Sequence, residues 1–423
     1  MSESGTPSGT PQLNVTRRSL LLGAGGVALS PMIAKAAPVS RKQHVVVIGA
    51  GVFGAWTAAH LLRAGHDVTL VDAWGPAHSR SSSGGESRLT RGAYGKDAIY
   101  TRMALDSLKE WKALSAVSGL PIFHECGVLF FFSTEEPYVR DSIAAHKAMG
   151  IPTQALTGGE LSKRFPMIDF SGVAVGLYEP GFGALMARRA VQTLVDVFVQ
   201  RGGKYREGLA RPPQDSGERL TQVELSDGTK IAADQFVFAL GPWLPKIFTD
   251  VIGSRILPTR QEVFFFEPPA GDRRFLPAEM PGWADFNGGD IFYGFPDLEA
   301  RGVKFAHDAH GVEVDPDTQD RRLTEAALNE IIAFRDRRFP LLRGAPLTEA
   351  RVCQYENSSN GDFLIDFHPR LKNVLLVGGG SGHGFKHGPE VGRYAARRLT
   401  GSVEPEPRFT LASKSEEHKR EVH

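Results

Sequence analysis

Apolar residues follow two different spacings in the stretch from His44 to Asp72, HVVVIGAGVFGAWTAAHLLRAGHDVTLVD. Val45 to Ile48 is continuous and β-branched, the pattern of a short strand buried on both faces. From about Phe53 to Ala64 the apolar positions recur at helical spacing, and Gly65 ends them. A second apolar run, Val68 to Val71, closes in Asp72. The spacing predicts strand, tight turn, helix, strand.

Further along, residues 97–118 predict an amphipathic helix with Tyr100, Met103, Ala104, Leu108 and Trp111 on its core face. Cys126 to Phe132 predicts a strand, and Pro137 to Met149 and Leu185 to Arg201 predict helices. Val223 to Ile231 reads as a hairpin turning at Asp227-Gly228. The apolar run from Gln235 ends in a glycine turn at Gly241, and residues 256–312 return to strand-like patterns. Leu323 to Phe339 predicts a helix stopped by Pro340. Asn373 to Val377 predicts a buried strand that runs into a second glycine-rich turn, Gly378 to Lys386, with a helix opening near Pro389. One nucleotide-binding sheet is therefore expected from separated segments, 40–123, 180–256 and 350–410. A substrate domain is expected from 124–179 and 257–349, with a polar tail over 411–423.

Composition narrows the partners. With 49 basic and 48 acidic residues the net charge is +1, so nothing steers the chain to nucleic acid or an anionic membrane, and a small molecule is expected. Met1 to Val15 is rich in Ser, Thr, Gly and Pro and leads into Thr16-Arg17-Arg18-Ser19-Leu20-Leu21, an apolar run, and Ala34-Lys35-Ala36. That is the layout of a twin-arginine export signal over residues 1–36, implying the export machinery as a partner and a periplasmic destination. The apolar run is short of the roughly 20 residues a spanning helix needs. The two cysteines, Cys126 and Cys353, make no disulfide framework, and Cys126 reads as a small core hydrophobe. No metal-ligand spacing is present in the sequence.

The first glycine turn carries the clearest chemistry. Gly49, Gly51 and Gly54 form GxGxxG between strand and helix: the first for the tight turn, the second for approach of a pyrophosphate, the third for helix packing. Phosphates would sit at the helix N-terminus, where main-chain N–H groups converge, and Asp72 would accept a ribose hydroxyl. Gly241 and the Gly380, Gly382 and Gly384 turn offer further backbone approach to the same ligand. Phosphate chemistry alone leaves FAD and NAD both open.

Several separated motifs together resemble the amino-acid oxidase superfamily of flavoproteins, in particular its monomeric sarcosine oxidase and N-methyltryptophan oxidase branch. They are GAGVFG with Asp72, SRLTRGAYG, ALGPW, YGFP with Lys304 beyond it, VCQY, DFLIDFHP and SGHGFK. The resemblance implies an α/β fold with an FAD-binding Rossmann-like domain of glutathione-reductase type and an α+β substrate domain built on a mainly antiparallel sheet. It implies FAD as cofactor, with Cys353 as the position of covalent attachment in the family. The implied reaction is oxidation of a secondary amine or N-methyl amino acid, with oxygen as acceptor, peroxide as product and a monomeric enzyme.

By the same resemblance Lys304 assists oxygen and Arg91 and Lys386 hold a substrate carboxylate. Arg88 lies near the flavin, and Tyr293 and Tyr355 line the pocket. Gly84 and Asp308 stand where the family has histidines, with His307 next to Asp308. A roomier pocket carrying an added acid is therefore expected, favouring a larger amine than sarcosine. Two alternatives remain at this level: a dehydrogenase of the same fold that uses a quinone, and a flavin-binding accessory protein without catalysis.

Overall fold

A computed structural model describes residues 41–214, 217–287, 291–309 and 311–418. The signal expected over 1–36 lies outside the described residues. The apolar runs at the start of the chain form the centre of a six-stranded sheet in the order Leu364–Phe367, Val374–Gly378, Gln235–Phe238, His44–Ile48, Asp67–Asp72, Lys204–Glu207. All neighbours are parallel except the Leu364–Phe367 edge. Period-two alternation explains why these runs are apolar throughout: Val45 and Val47 enter one core, Val46 and Ile48 the other. Two helices, Val52–Arg63 and Gly388–Leu399, pack closely on one another. Gly392 permits this, because a Cβ there would meet the Trp56 main chain at 2.5 Å.

The second sheet has eight strands, in the order Leu347–Ser358, Ile256–Phe266, Val303–Asp308, Ile291–Phe295, Gly282–Asp285, Val128–Phe132, Val175–Glu179, Gln154–Thr157. It is antiparallel apart from the pairing of Gly282–Asp285 with Val128–Phe132. Phe264, Phe266, Trp283, Phe292 and Phe305 pack on the helix Glu325–Arg338 through Ile331 and Phe334, with Phe292 stacked on Phe334 at 4.2 Å. The opposite face of Val303–Asp308 and its neighbours is left for the site.

The structure departs locally from the sequence expectations at four places. The helix expected from Leu185 begins at Ala187, because Gly183–Met186 is a strand between Ser87–Thr90 and Phe123–His124. The strand expected from Cys126 begins at Val128, since Gly127 has φ +76° and a Cβ there would collide with the Tyr178 hydroxyl. The domain boundary expected at 350 falls inside Leu347–Ser358, which stays in the eight-stranded sheet to its end. The tail expected from 411 is docked over its described part: Leu411 N–H donates to Asp366 Oδ2 at 2.9 Å and the buried Lys414 Nζ to Asn360 Oδ1 at 2.9 Å.

Candidate cofactor and substrate site

Both glycine turns of the six-stranded sheet open onto one elongated cavity. Gly49 has φ +104° and a Cβ on it would collide with the Ala239 carbonyl, so the tight turn requires glycine. Gly54 lies beneath the turn rather than in the cavity, and a Cβ on it would collide with the Gly49 carbonyl. Gly51 is different: the nearest atom to its Cβ position is Ser83 Oγ at 3.6 Å, so its open side faces the cavity. The Ser83 hydroxyl accepts from Val52 N–H at 3.1 Å, holding the first helical residue. Asp72 accepts from Ala50 N–H at 2.7 Å and Trp74 N–H at 3.0 Å, and burial raises its pKa above the usual carboxylate range despite those bonds. Each carboxylate oxygen keeps lone-pair capacity for a ribose hydroxyl.

Gly241, Gly380, Gly382 and Gly384 line the same cavity from the other side. At its outer end Trp74 and Trp243 rings lie 5.1 Å apart, with His78 4.9 Å from Trp74. Burial, followed by Arg80, Arg321 and Arg188, lowers the His78 pKa to about 4, so this ring is neutral. The cavity is long, its glycines leave room where side chains would stand, and helix N–H groups meet it at one end. An FAD dinucleotide fits such a cradle.

A second cavity adjoins it and shares Arg88, Tyr355, Ser381, Gly382 and Phe385 with it. Strand alternation builds its walls. Register pairs Ile291 with Asp308, Tyr293 with Ala306 and Phe295 with Lys304, so these side chains share one face of the sheet. Cys353, Tyr355 and Asn357 alternate onto the same cavity from Leu347–Ser358, and Gln261 and Val263 from the strand between. His307 falls on the opposite face, stacked on Phe292 at 4.6 Å with Nδ1 3.0 Å from Glu330 Oε2. It therefore does not supply the imidazole missing at Asp308, which lines the cavity itself.

Arg91 and Lys386 are both buried and reach this cavity from different elements. The Arg91 guanidinium lies 3.9 Å from the Tyr94 ring centre and donates to the Ala93 carbonyl. Lys386 Nζ donates to the His383 carbonyl at 2.6 Å, and burial, then the Arg91 charge, holds its pKa well below the usual lysine value. Tyr293 is pushed up to about 12, first by burial and then by Asp308, and burial likewise holds Tyr355 well above the usual phenol value, with its hydroxyl bonded to Tyr293. Arg88 donates to the carbonyls of Ser87 at 2.7 Å and Ser82 at 2.6 Å, at the junction of the two cavities.

Lys304 lines neither large cavity. Its Nζ is buried behind them, 3.2 Å from the Ser87 carbonyl and 4.9 Å from the Phe295 ring centre. Burial, then Arg88, lowers its pKa to about 7. The space expected at Gly84 is absent: a Cβ there would collide with the His78 carbonyl, so main chain fills it. Cys126 is buried, its thiol pushed up to about 11 by burial, and among the described residues no cluster of potential metal ligands occurs. Sequence reasoning missed Glu356, Ser83 and the Trp74, His78, Trp243 group. Glu356 gave no signal of its own, since it shares its strand face with Gln354 in a mixed polar run.

Residues 44–398 match the FAD dependent oxidoreductase family (DAO), and the chain belongs to it. FAD is accordingly its cofactor, and the fit of the cradle agrees. Among its relatives, the monomeric sarcosine oxidase of a Bacillus species is 30% identical over 365 residues, covering 85% of this chain and 93% of that protein. The N-methyl-L-tryptophan oxidase of Citrobacter koseri is 27% identical and covers 88% of this chain and 97% of its own. In fold the chain is similar to L-proline dehydrogenase from P. horikoshii, with a TM-score of 0.75 at 22% identity over 86% of this chain and 94% of that one.

Proposed function

We propose that the protein oxidises the C–N bond of a secondary amine or N-methyl amino acid, with oxygen as acceptor and peroxide as product. The observation that carries this reading is the meeting of Arg91 and Lys386 in a cavity that opens at Tyr355 and Arg88 onto the FAD cradle. The names of the relatives support the reaction class. Bound FAD supplies the hydride acceptor and returns the electrons to oxygen.

The remaining work belongs to side chains. Arg91 and Lys386 clamp the substrate carboxylate, and the arriving anion opposes the depression of the Lys386 pKa and favours its charged form. Tyr355 and Tyr293 stay protonated and polar beside the substrate. Lys304 is the fixed cation for the oxygen step, and Cys353, a free thiol lining the substrate cavity, is the site of covalent attachment. Residues 1–36 direct export to the periplasm, supported by the Thr16 to Leu21 pattern; Arg17→Lys with Arg18→Lys should leave the protein in the cytoplasm.

Asp308 adds an acceptor to the pocket, which favours an amine whose side chain donates hydrogen bonds or carries positive charge. The roomier half of the earlier expectation falls with the filled space at Gly84. A steady-state panel of sarcosine, larger N-methyl amino acids and cyclic imino acids, read by peroxide release, tests the proposal. Anaerobic bleaching without peroxide in air would replace oxygen by another acceptor, and no bleaching by any amine would remove the enzyme reading.

A further inference from the structure

On Leu347–Ser358, Tyr355 and Asn357 line the substrate cavity, whereas Glu356 lines the FAD cradle. Glu356 is 7% exposed. Oε1 accepts from Gly380 N–H at 3.3 Å, and Oε2 is buried without a hydrogen-bond partner. A buried polar oxygen in that state costs roughly 1–3 kcal/mol unless a ligand satisfies it. Glycines make space for the carboxyl: a Cβ at Gly378 would stand 3.2 Å from Oε2, and one at Gly241 4.0 Å.

We propose that Glu356 binds FAD as a neutral carboxylic acid, its Oε2 hydroxyl donating a hydrogen bond to an oxygen of the cofactor's ribityl and pyrophosphate chain. An ionised carboxylate in this place would face a dinucleotide that already carries negative charge, with no cation beside it among the described residues. The groups that act on it besides burial are the N–H groups of Gly380 and Gly379, and no charged side chain among the described residues contributes. Across the ladder its partner is Pro258. Burial raises its pKa to about 7, so in the cofactor-free protein the neutral form is already half populated near neutrality. An acceptor on FAD raises it further, and FAD binding is then accompanied by proton uptake above that pH.

The test uses the Cys353→Ala background, so that a covalent bond cannot mask release, and reads FAD binding by flavin fluorescence between about pH 6 and 9. With Glu356 present the dissociation constant should be flat below about pH 7 and rise by up to tenfold per pH unit above it. Glu356→Gln, neutral and able to donate N–H, should remove the slope while keeping the low-pH affinity within a few-fold. Glu356→Leu, where circular dichroism shows it folded, should bind at least tenfold more weakly at low pH. In the wild-type holoenzyme, infrared spectra should show a protonated carboxyl band that Glu356→Gln removes. A flat profile with Glu356, affinity that increases with pH, a slope that survives in Glu356→Gln, or no such band would each overturn the proposal.

Discussion

The FAD cradle and the substrate cavity share a wall, yet they are held by different physics. The cradle is made largely from main chain: turns at Gly49, Gly241 and Gly382 with φ of +104°, +54° and +77°, helix N–H groups, and two acids, Glu356 and Asp72, the latter spent largely on fixing the Ala50 and Trp74 amides. Its tolerances are steric. The substrate cavity gathers Arg91, Lys386, Asp308, Tyr293 and Tyr355 from several strands and a turn, with Lys304 behind them. Its behaviour is electrostatic, since burial moves the pKa of Lys304, Lys386 and both tyrosines. Damage to the cradle should therefore appear as loss of cofactor or fold, and damage to the cavity as changes in rate and pH dependence with FAD retained.

The largest expected effect separates two glycines of one motif. Gly54→Ala places a Cβ against the Gly49 carbonyl and should abolish soluble, yellow protein. Gly51→Ala meets only Ser83 Oγ at 3.6 Å, so the chain should fold with an unchanged circular dichroism spectrum while FAD occupancy falls. Equal behaviour of the two variants would break the division between packing glycine and ligand-facing glycine.

Next in size is the oxygen step. Lys304→Met should slow reoxidation by oxygen by about 100- to 1,000-fold, the usual cost of losing one preorganised charge-stabilising group, and leave anaerobic flavin reduction within a few-fold. Stopped-flow measurement of the two half-reactions decides it, and equal losses would make Lys304 a structural residue. Smaller again is the clamp. Arg91→Met or Lys386→Met should lower kcat/KM for amino-acid substrates by roughly 10- to 150-fold, the worth of a hydrogen bond to a charged group, and much less for amines without a carboxylate.

The same contrast explains what was legible. The cradle's first turn could be read directly because its information is local: three glycines, two β-branched runs and an acid within one βαβ unit. The cavity residues entered only through resemblance, because register brings them together over long separations, as with Gln261 opposite Cys353. Resemblance identified the missing imidazoles but not what fills their places. At Gly84 the filler is the His78 main chain, whereas at position 308 an acid lines the cavity. Glu356 escaped both routes, since its neighbours Tyr355 and Asn357 serve the other cavity.

The smallest effect tests whether the electrostatic description holds in its sign. Lys304 is depressed to about 7 because burial first, and Arg88 second, penalise its charged form, with Ser87 the one protein acceptor within 3.5 Å among its described hydrogen bonds. The charged form is the one that lowers the barrier as negative charge builds on oxygen, and it dominates below that pKa. Electrons arriving on the flavin add negative charge nearby, which moves the pKa upward from about 7. The rate of reaction with oxygen should therefore be level at low pH and fall by at most tenfold per pH unit above a midpoint at or above about 7. Lys304→Met should be slow and without this limb. Lys304→Arg, where it folds, should also lose the limb, because a guanidinium stays protonated across the range. A falling limb of unchanged midpoint in the methionine variant would assign the titration to another group and would dissociate the pH dependence of the cavity from its buried lysine.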